Sequence, residues 1–128
     1  MSNPKIFIVD DEKEIADLLG KLLRSRHYDV ESFYDANSVL NRTGECHPDI
    51  LVTDIDMPGM DGISLSAALL QQCRECKIIL MSGNPNWRHG QPHQDVASGF
   101  DLLMKPFKIS QLLNLVASKQ DRSSELVA

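Results

Sequence analysis

The sequence predicts an α/β protein, a doubly wound parallel sheet of five strands with helices on both faces. Two observations carry that reading. Short β-branched runs alternate with longer helical patterns along the chain, as in strand–helix–strand units. In addition, Lys5-Ile6-Phe7-Ile8-Val9 is almost unbrokenly apolar, the signature of a strand covered on both sides. At 128 residues, the chain has the length of one ordinary domain.

The elements follow in order. After the first strand, Asp11 to Arg26 places Ile15, Leu18, Leu19, Leu22 and Leu23 at helical spacing, with acids in the first turn where they favour the helix dipole. A strand near Asp29–Phe33 leads to a short helix near Ala36–Arg42, broken at Gly44. Pro48 precedes a third strand, Asp49–Thr53, and a loop over Asp54–Gly62 leads to a helix over Ile63–Gln72. Lys77–Met81 and Asp101–Met104 read as the fourth and fifth strands. Ile109–Lys119 carries Leu112, Leu113 and Val116 on one face and reads as the last helix, while 121–128 is a polar tail expected to fray.

Composition narrows the function. Apolar residues make up 42% and charged residues 24%, so a packed core is expected and disorder is not. A net charge of −5 argues against a nucleic-acid surface, because phosphate backbones are held by clustered cations. No apolar run approaches the roughly 18 residues a membrane span needs, and the start lacks the pattern of a signal peptide. With three cysteines, an odd count, the expectation is reduced thiols in a cytoplasm.

In parallel sheets of this kind, ligands bind beyond the C-terminal ends of the strands. At those ends stand Asp10-Asp11, Asp54, Ser82 and Lys105-Pro106. Any one of them could be an ordinary loop or cap residue, and Asp11 could simply cap the first helix. Together they are harder to explain that way. Two carboxylates ~4 Å apart repel by about 1 kcal/mol in water and about 4 at an effective dielectric of 20. Such crowding is relieved by a raised pKa or by a cation. Oxygen donors without His or Cys suit Mg²⁺. A lysine charge and a serine hydroxyl beside them suit the oxygens of a phosphoryl group, whose transfer needs positioning and charge neutralisation.

Four segments, taken in order and spacing, resemble the receiver domain of bacterial two-component response regulators. They are Val9-Asp10-Asp11, then Asp54-Ile55-Asp56-Met57-Pro58-Gly59-Met60-Asp61-Gly62, then Ser82-Gly83, and finally Lys105-Pro106-Phe107. The resemblance spans about residues 4 to 120, and the domain is set at 1–120. It implies a flavodoxin-like strand order of 2-1-3-4-5. It also implies that Asp54 accepts a phosphoryl group from a histidine kinase or a histidine phosphotransfer protein. Asp10, Asp11, Asp54 and the backbone carbonyl of Asp56 would hold Mg²⁺. Ser82 and Lys105 would grip the phosphoryl oxygens and relay the change to a downstream effector. The Lys105–Pro106 bond is expected to be cis, which an X-Pro amide permits, and Gly62 to supply a positive φ or a tight approach. A stand-alone, chemotaxis-regulator-like switch in the cytoplasm is the expectation, and a weak homodimer is left open.

The chain departs from the family pattern in two places. The family usually carries an aromatic three residues before the lysine, and here that position is Leu102; Phe100 is not its equivalent. Between the fourth and fifth strands, the stretch Asn84 to His93 holds two prolines and a glycine. The fourth of the five expected helices should therefore be short, near Gln94–Ser98, or replaced by a loop. Trp87 in that stretch is either a partner anchor or packed on the sheet. Asp56 and Asn84 are expected to tune the lifetime of the acyl phosphate.

Competing patterns are weaker. Cys73-Arg74-Glu75-Cys76 with Cys46-His47 would sit at the opposite edge of the sheet, where a zinc site is conceivable, but the usual zinc spacing is absent. His89 and His93 are separated by Gly90 and Pro92, which oppose a helix aligning them. Asp54-Ile55-Asp56 resembles the Asp-x-Asp of haloacid-dehalogenase-like phosphatases, yet that family puts the motif after its first strand and adds a cap. A flavodoxin-like electron carrier would need a phosphate loop where this chain has Asp10-Asp11-Glu12. A receiver-shaped module that never takes phosphate is the remaining rival.

Overall fold

A computed structural model describes the backbone of residues 4–83 and 100–127, and the side chains of those residues up to 118. Five parallel strands lie in the order β2-β1-β3-β4-β5. They are β1 (Lys5–Val9), β2 (Asp29–Phe33), β3 (Ile50–Asp54), β4 (Lys77–Ser82) and β5 (Asp101–Met104). Among the described residues the helices are α1 (Lys13–Arg24), α2 (Ala36–Thr43), α3 (Gly62–Gln72) and α4 (Ile109–Val127). The predicted class and strand order are those observed.

The period-2 pattern of the strands splits the core in two. Phe7, Val9, Leu51, Ile78 and Leu80 face α2 and α3, whereas Ile6, Ile8, Val52, Ile79, Met81 and Leu103 face α1 and α4. Every residue of β3 and β4 is buried, which explains why these strands read as continuous rather than alternating runs. Helix starts are fixed by short side chains. Asp35 accepts the Ser38 N–H and Asp61 the Ser64 N–H, both at 2.7 Å, and Gln111 accepts the Lys108 N–H at 2.8 Å to open α4.

Three sequence expectations are corrected. The last helix runs to Val127, not Lys119, so 121–127 is helical rather than a frayed tail. No glycine or proline follows Pro106, and the Ala, Lys, Gln, Arg, Glu and Leu of that stretch are good helix formers. Asp54 and Ser82 are the last residues of their strands, not the first after them. The ladder extends past both, with Ile55 N–H bonded to Met81 O at 2.9 Å and Lys105 N–H to Ser82 O at 2.8 Å. Finally, Asp11 does not cap α1. Glu12 takes that place without a side-chain cap, and the helix starts at Lys13 rather than Asp11.

At the N-terminal edge, Lys77 opens β4 with its ammonium buried. It lies 3.0 Å from Asp101 Oδ2 on β5 and donates to Ser118 Oγ on α4 at 2.7 Å. A buried cation needs such partners, and these tie two strands and a helix together. The predicted irregular fourth helix, with Asn84, Trp87, His89 and His93, lies outside the described residues. No helix among the described residues is long and apolar enough to cross a membrane.

Candidate functional site

Sheet register brings the acids together. Val9 lies opposite Thr53, so one residue further on Asp10 and Asp54 come side by side at the sheet edge. Asp54 is opposite Met81 and Ser82 is opposite Met104, which carries Ser82 and Lys105 to the same edge. One carboxylate oxygen each from Asp10, Asp11 and Asp54 lies within 4.8 Å of the other two. Lys105 reaches in from the β5–α4 loop. Its Nζ donates to Asp10 Oδ2 at 3.1 Å and stands 3.6 Å from Asp54 Oδ1. The other Asp10 oxygen accepts the Glu12 N–H at 2.9 Å.

Burial sets the electrostatics. Asp10 is fully buried and Asp54 only 6% exposed, whereas Asp11 is exposed. Loss of water is the main cause that lifts Asp54 to about 6; the charges of Asp10, Asp11 and Asp56 add to it, against the opposing pull of Lys105. Burial works to lower the Lys105 pKa, but Asp10, Asp54 and Glu12 outweigh it and the ammonium is held above its ordinary value. The pocket therefore keeps its cation firmly and its central carboxylate under strain.

The backbone around Asp54 is tightly fitted. A Cβ at position 62 would overlap the Asp54 carbonyl oxygen, so only glycine lets the start of α3 approach. That is the tight-approach alternative of the sequence reading; the positive φ belongs to Gly59 instead, at 78°. Asp61 caps α3, so part of the acidic motif is structural. Asp56 is exposed. The Lys105–Pro106 bond is cis.

A family model described as the response regulator receiver domain matches residues 6–117. The chain belongs to the response regulator receiver family. It is 30% identical to the two-component response regulator PhoP of Pseudomonas aeruginosa over 96% of this chain and 54% of that protein. It is 32% identical to the DNA-binding transcriptional regulator NtrC of Proteus hauseri, over 91% of this chain and 24% of that protein. The chain thus spans about half or less of the length of these curated relatives. The receiver domain of a Francisella response regulator superposes with a TM-score of 0.81 at 30% identity, covering 94% of this chain and 99% of that one. The phosphatase and electron-carrier readings give way to a signalling domain of two-component systems.

The receiver's acidic edge fits a hard divalent cation. Three carboxylates converge with oxygen donors only, one of them exposed, and Asp54 is destabilised as an anion until positive charge is supplied. The cysteine edge does not compare. Among the described residues, the three aspartates are the one His/Cys/Asp/Glu group whose donor atoms come within 4.8 Å, so Cys46, His47, Cys73 and Cys76 form no such cluster.

Leu102 projects from edge strand β5 and is exposed, as is Met104 on the same face. Phe100 packs instead against the core beneath α2 and α3. Sequence reasoning missed one feature. An apolar groove of about 450 Å³ runs between α1 and the β5–α4 loop, lined by Ile15, Leu18, Leu22, Phe107 and Ile109 with Lys105 at its rim. The signal was there: Ile15, Leu18, Leu19, Leu22 and Leu23 span too wide an arc for one buried face, and Leu18 is 53% exposed.

Proposed function

We propose that this receiver is a phosphorylation-activated switch whose phosphoacceptor is Asp54. The observation that carries the reading is the contact of Lys105 with both Asp10 and Asp54 beside the exposed carboxylate of Asp11. An Asp54 carboxylate oxygen attacks the phosphorus of a phosphohistidine donor, in a histidine kinase or a phosphotransfer protein. The new P–O bond replaces the P–N bond, and the donor leaves as imidazole. Asp10, Asp11 and Asp54, with the Asp56 backbone carbonyl, would hold Mg²⁺. When bound, the ion neutralises the carboxylates and the phosphoryl oxygens.

The other steps belong to the chain. Lys105 orients Asp54 before transfer and offers its ammonium to a phosphoryl oxygen afterwards, loosening its tie to Asp54. Ser82, buried at the end of β4, offers its hydroxyl to another oxygen. Because Ser82 ends β4 and Lys105 directly follows β5, their shift toward the phosphoryl group moves the β4–β5 edge, where a downstream effector reads it. With Leu102 in place of an aromatic, that readout proceeds without a ring swing. The groove beside Lys105 receives the apolar surface of the donor protein, since whatever lies in it is next to the acceptor carboxylate. In the acyl phosphate, Asp56 tunes the approach of hydrolytic water.

Incubation with Mg²⁺ and acetyl phosphate tests the assignment. A mass gain of one phosphoryl group is expected, and it is lost in Asp54→Asn. Uptake that survives in that variant, or is absent from the native chain, overturns it.

A further inference from the structure

The opposite edge of the sheet carries an arrangement that the switch does not use. α3 ends at Cys73, whose N–H still bonds to Leu69 O at 2.8 Å and whose backbone leaves the helical region at φ −129° and ψ 79°. The chain reverses through Arg74 and Glu75, and the Cys76 N–H closes the turn on Cys73 O at 3.1 Å. A four-residue turn of this kind holds its end Cα atoms within about 7 Å, and a disulfide spans roughly 4.4–6.8 Å. Both side chains enter the same buried cluster under α2 and α3, so they lie on one side of the sheet. None of the cysteines is in a disulfide.

Access is also present. A groove of about 600 Å³ opens on the turn, lined by Cys73 and Cys76 with His47 and Arg74 and with the acids Asp49 and Glu75. A cavity of that size accommodates a small organic molecule. Cys46 packs at the margin of the same cluster but does not line the groove.

We propose that Cys73 and Cys76 form a thiol–disulfide site that is oxidised by low-molecular-weight disulfides entering this groove. One thiolate attacks a sulfur of the small disulfide, forming a mixed disulfide and releasing one small thiolate. The second cysteine thiolate attacks the protein sulfur of that adduct, forming the Cys73–Cys76 bond and releasing the second. Two protein thiols are oxidised, one small disulfide is reduced to two thiols, and the two protons travel with them. Burial, with the nearby Cys46, pushes the Cys73 thiol up, so the exchange is slow near neutrality and accelerates as the solution becomes alkaline. Closure would tie the end of α3 to the start of β4, the strand that ends in Ser82.

The test incubates the folded chain with glutathione disulfide at mildly alkaline pH and reads mass and free thiols. Native protein should lose two of its three titratable thiols with no retained glutathione, and digestion should yield one peptide cross-linked between Cys73 and Cys76. Cys46→Ala should behave the same way. Cys76→Ala, checked for native circular dichroism, should instead retain one glutathione on Cys73. A stable mixed disulfide on the native chain, a bond to Cys46, or no reaction while the urea-unfolded chain oxidises would each overturn the proposal. None of these outcomes depends on phosphoryl uptake at Asp54.

Discussion

Gly62 packs so closely on Asp54 that a methyl group at position 62 would overlap the Asp54 carbonyl oxygen. The start of α3 and the end of β3 are therefore one fitted unit. Gly62→Ala should cost about 1–3 kcal/mol, the range for overpacking a rigid site. It should also slow phosphoryl uptake, because Asp54 must move to make room. Urea denaturation and the acetyl phosphate mass assay measure the two effects. An unchanged rate at reduced stability would show that the approach serves folding alone.

The raised pKa of Asp54 gives a pH signature in the absence of divalent cations. Its folded value of about 6 exceeds the ordinary 3.8, so between these the native state binds more protons than the unfolded state. Stability from this group is therefore fully present below about pH 4 and is lost as pH rises toward 6, by up to about 3 kcal/mol. Asp54→Asn removes the dependence. The difference between native and variant unfolding free energies should grow across that window, in favour of the variant, and then level off.

Magnesium should reverse that loss. Added Mg²⁺ is expected to raise the melting temperature more at neutral pH than near pH 5, because protons and metal compete for the same carboxylates. Asp11→Asn, at an exposed position, should leave the fold intact and weaken Mg²⁺ about tenfold or more, which is ~1.4 kcal/mol. Calorimetric titration checks it, and equal affinity in both proteins would remove Asp11 from the ligand set.

Lys105→Met leaves Asp10 and Asp54 buried without their cation. Removing one partner of a buried pair is typically worth about 3 kcal/mol, and the partial exposure of Lys105 makes that an upper figure. The Asp54 titration should move above its present value, since the one opposing charge is gone. Carboxyl-carbon resonances would follow it directly. Phosphoryl uptake should fall at the same time.

Leu18→Ser separates the donor surface from the chemistry. Leu18 is half exposed, so stability should change by less than about 0.5 kcal/mol. Uptake from acetyl phosphate should be unchanged, while transfer from a phosphohistidine protein slows. Equal slowing from both donors would place Leu18 within the site rather than on a docking surface.

Much of this molecule is legible in its residues, and the gaps have physical causes. The two-sided strands announced themselves because burial on both faces leaves apolar runs such as Ile78-Ile79-Leu80-Met81. Asp10, Asp11, Asp54 and Lys105 could be placed at one edge because parallel topology alone carries strand ends there. Strand limits at Asp54 and Ser82 were missed by one residue, since a polar side chain says nothing about whether its backbone still pairs. The extended last helix was missed because a polar stretch was read as fraying, although nothing in it breaks a helix. The groove on α1 was hidden because helical spacing alone does not tell which of its leucines meet the sheet and which stay exposed, as Leu18 does. No local pattern in the sequence marks the fit between Gly62 and Asp54, which depends on the approach of two separate elements.

The clamp of Lys77 on Asp101 and Ser118 has a mechanical consequence. The roots of β4 and β5 are pinned to each other and to α4 through the buried ammonium of Lys77, which resists sliding of the two strands past one another. In the proposed switch, a displacement begun at their tips by Ser82 and Lys105 would therefore open the pair like scissors pivoted at the far rim, turning a pull into a change of angle along the sheet's free border.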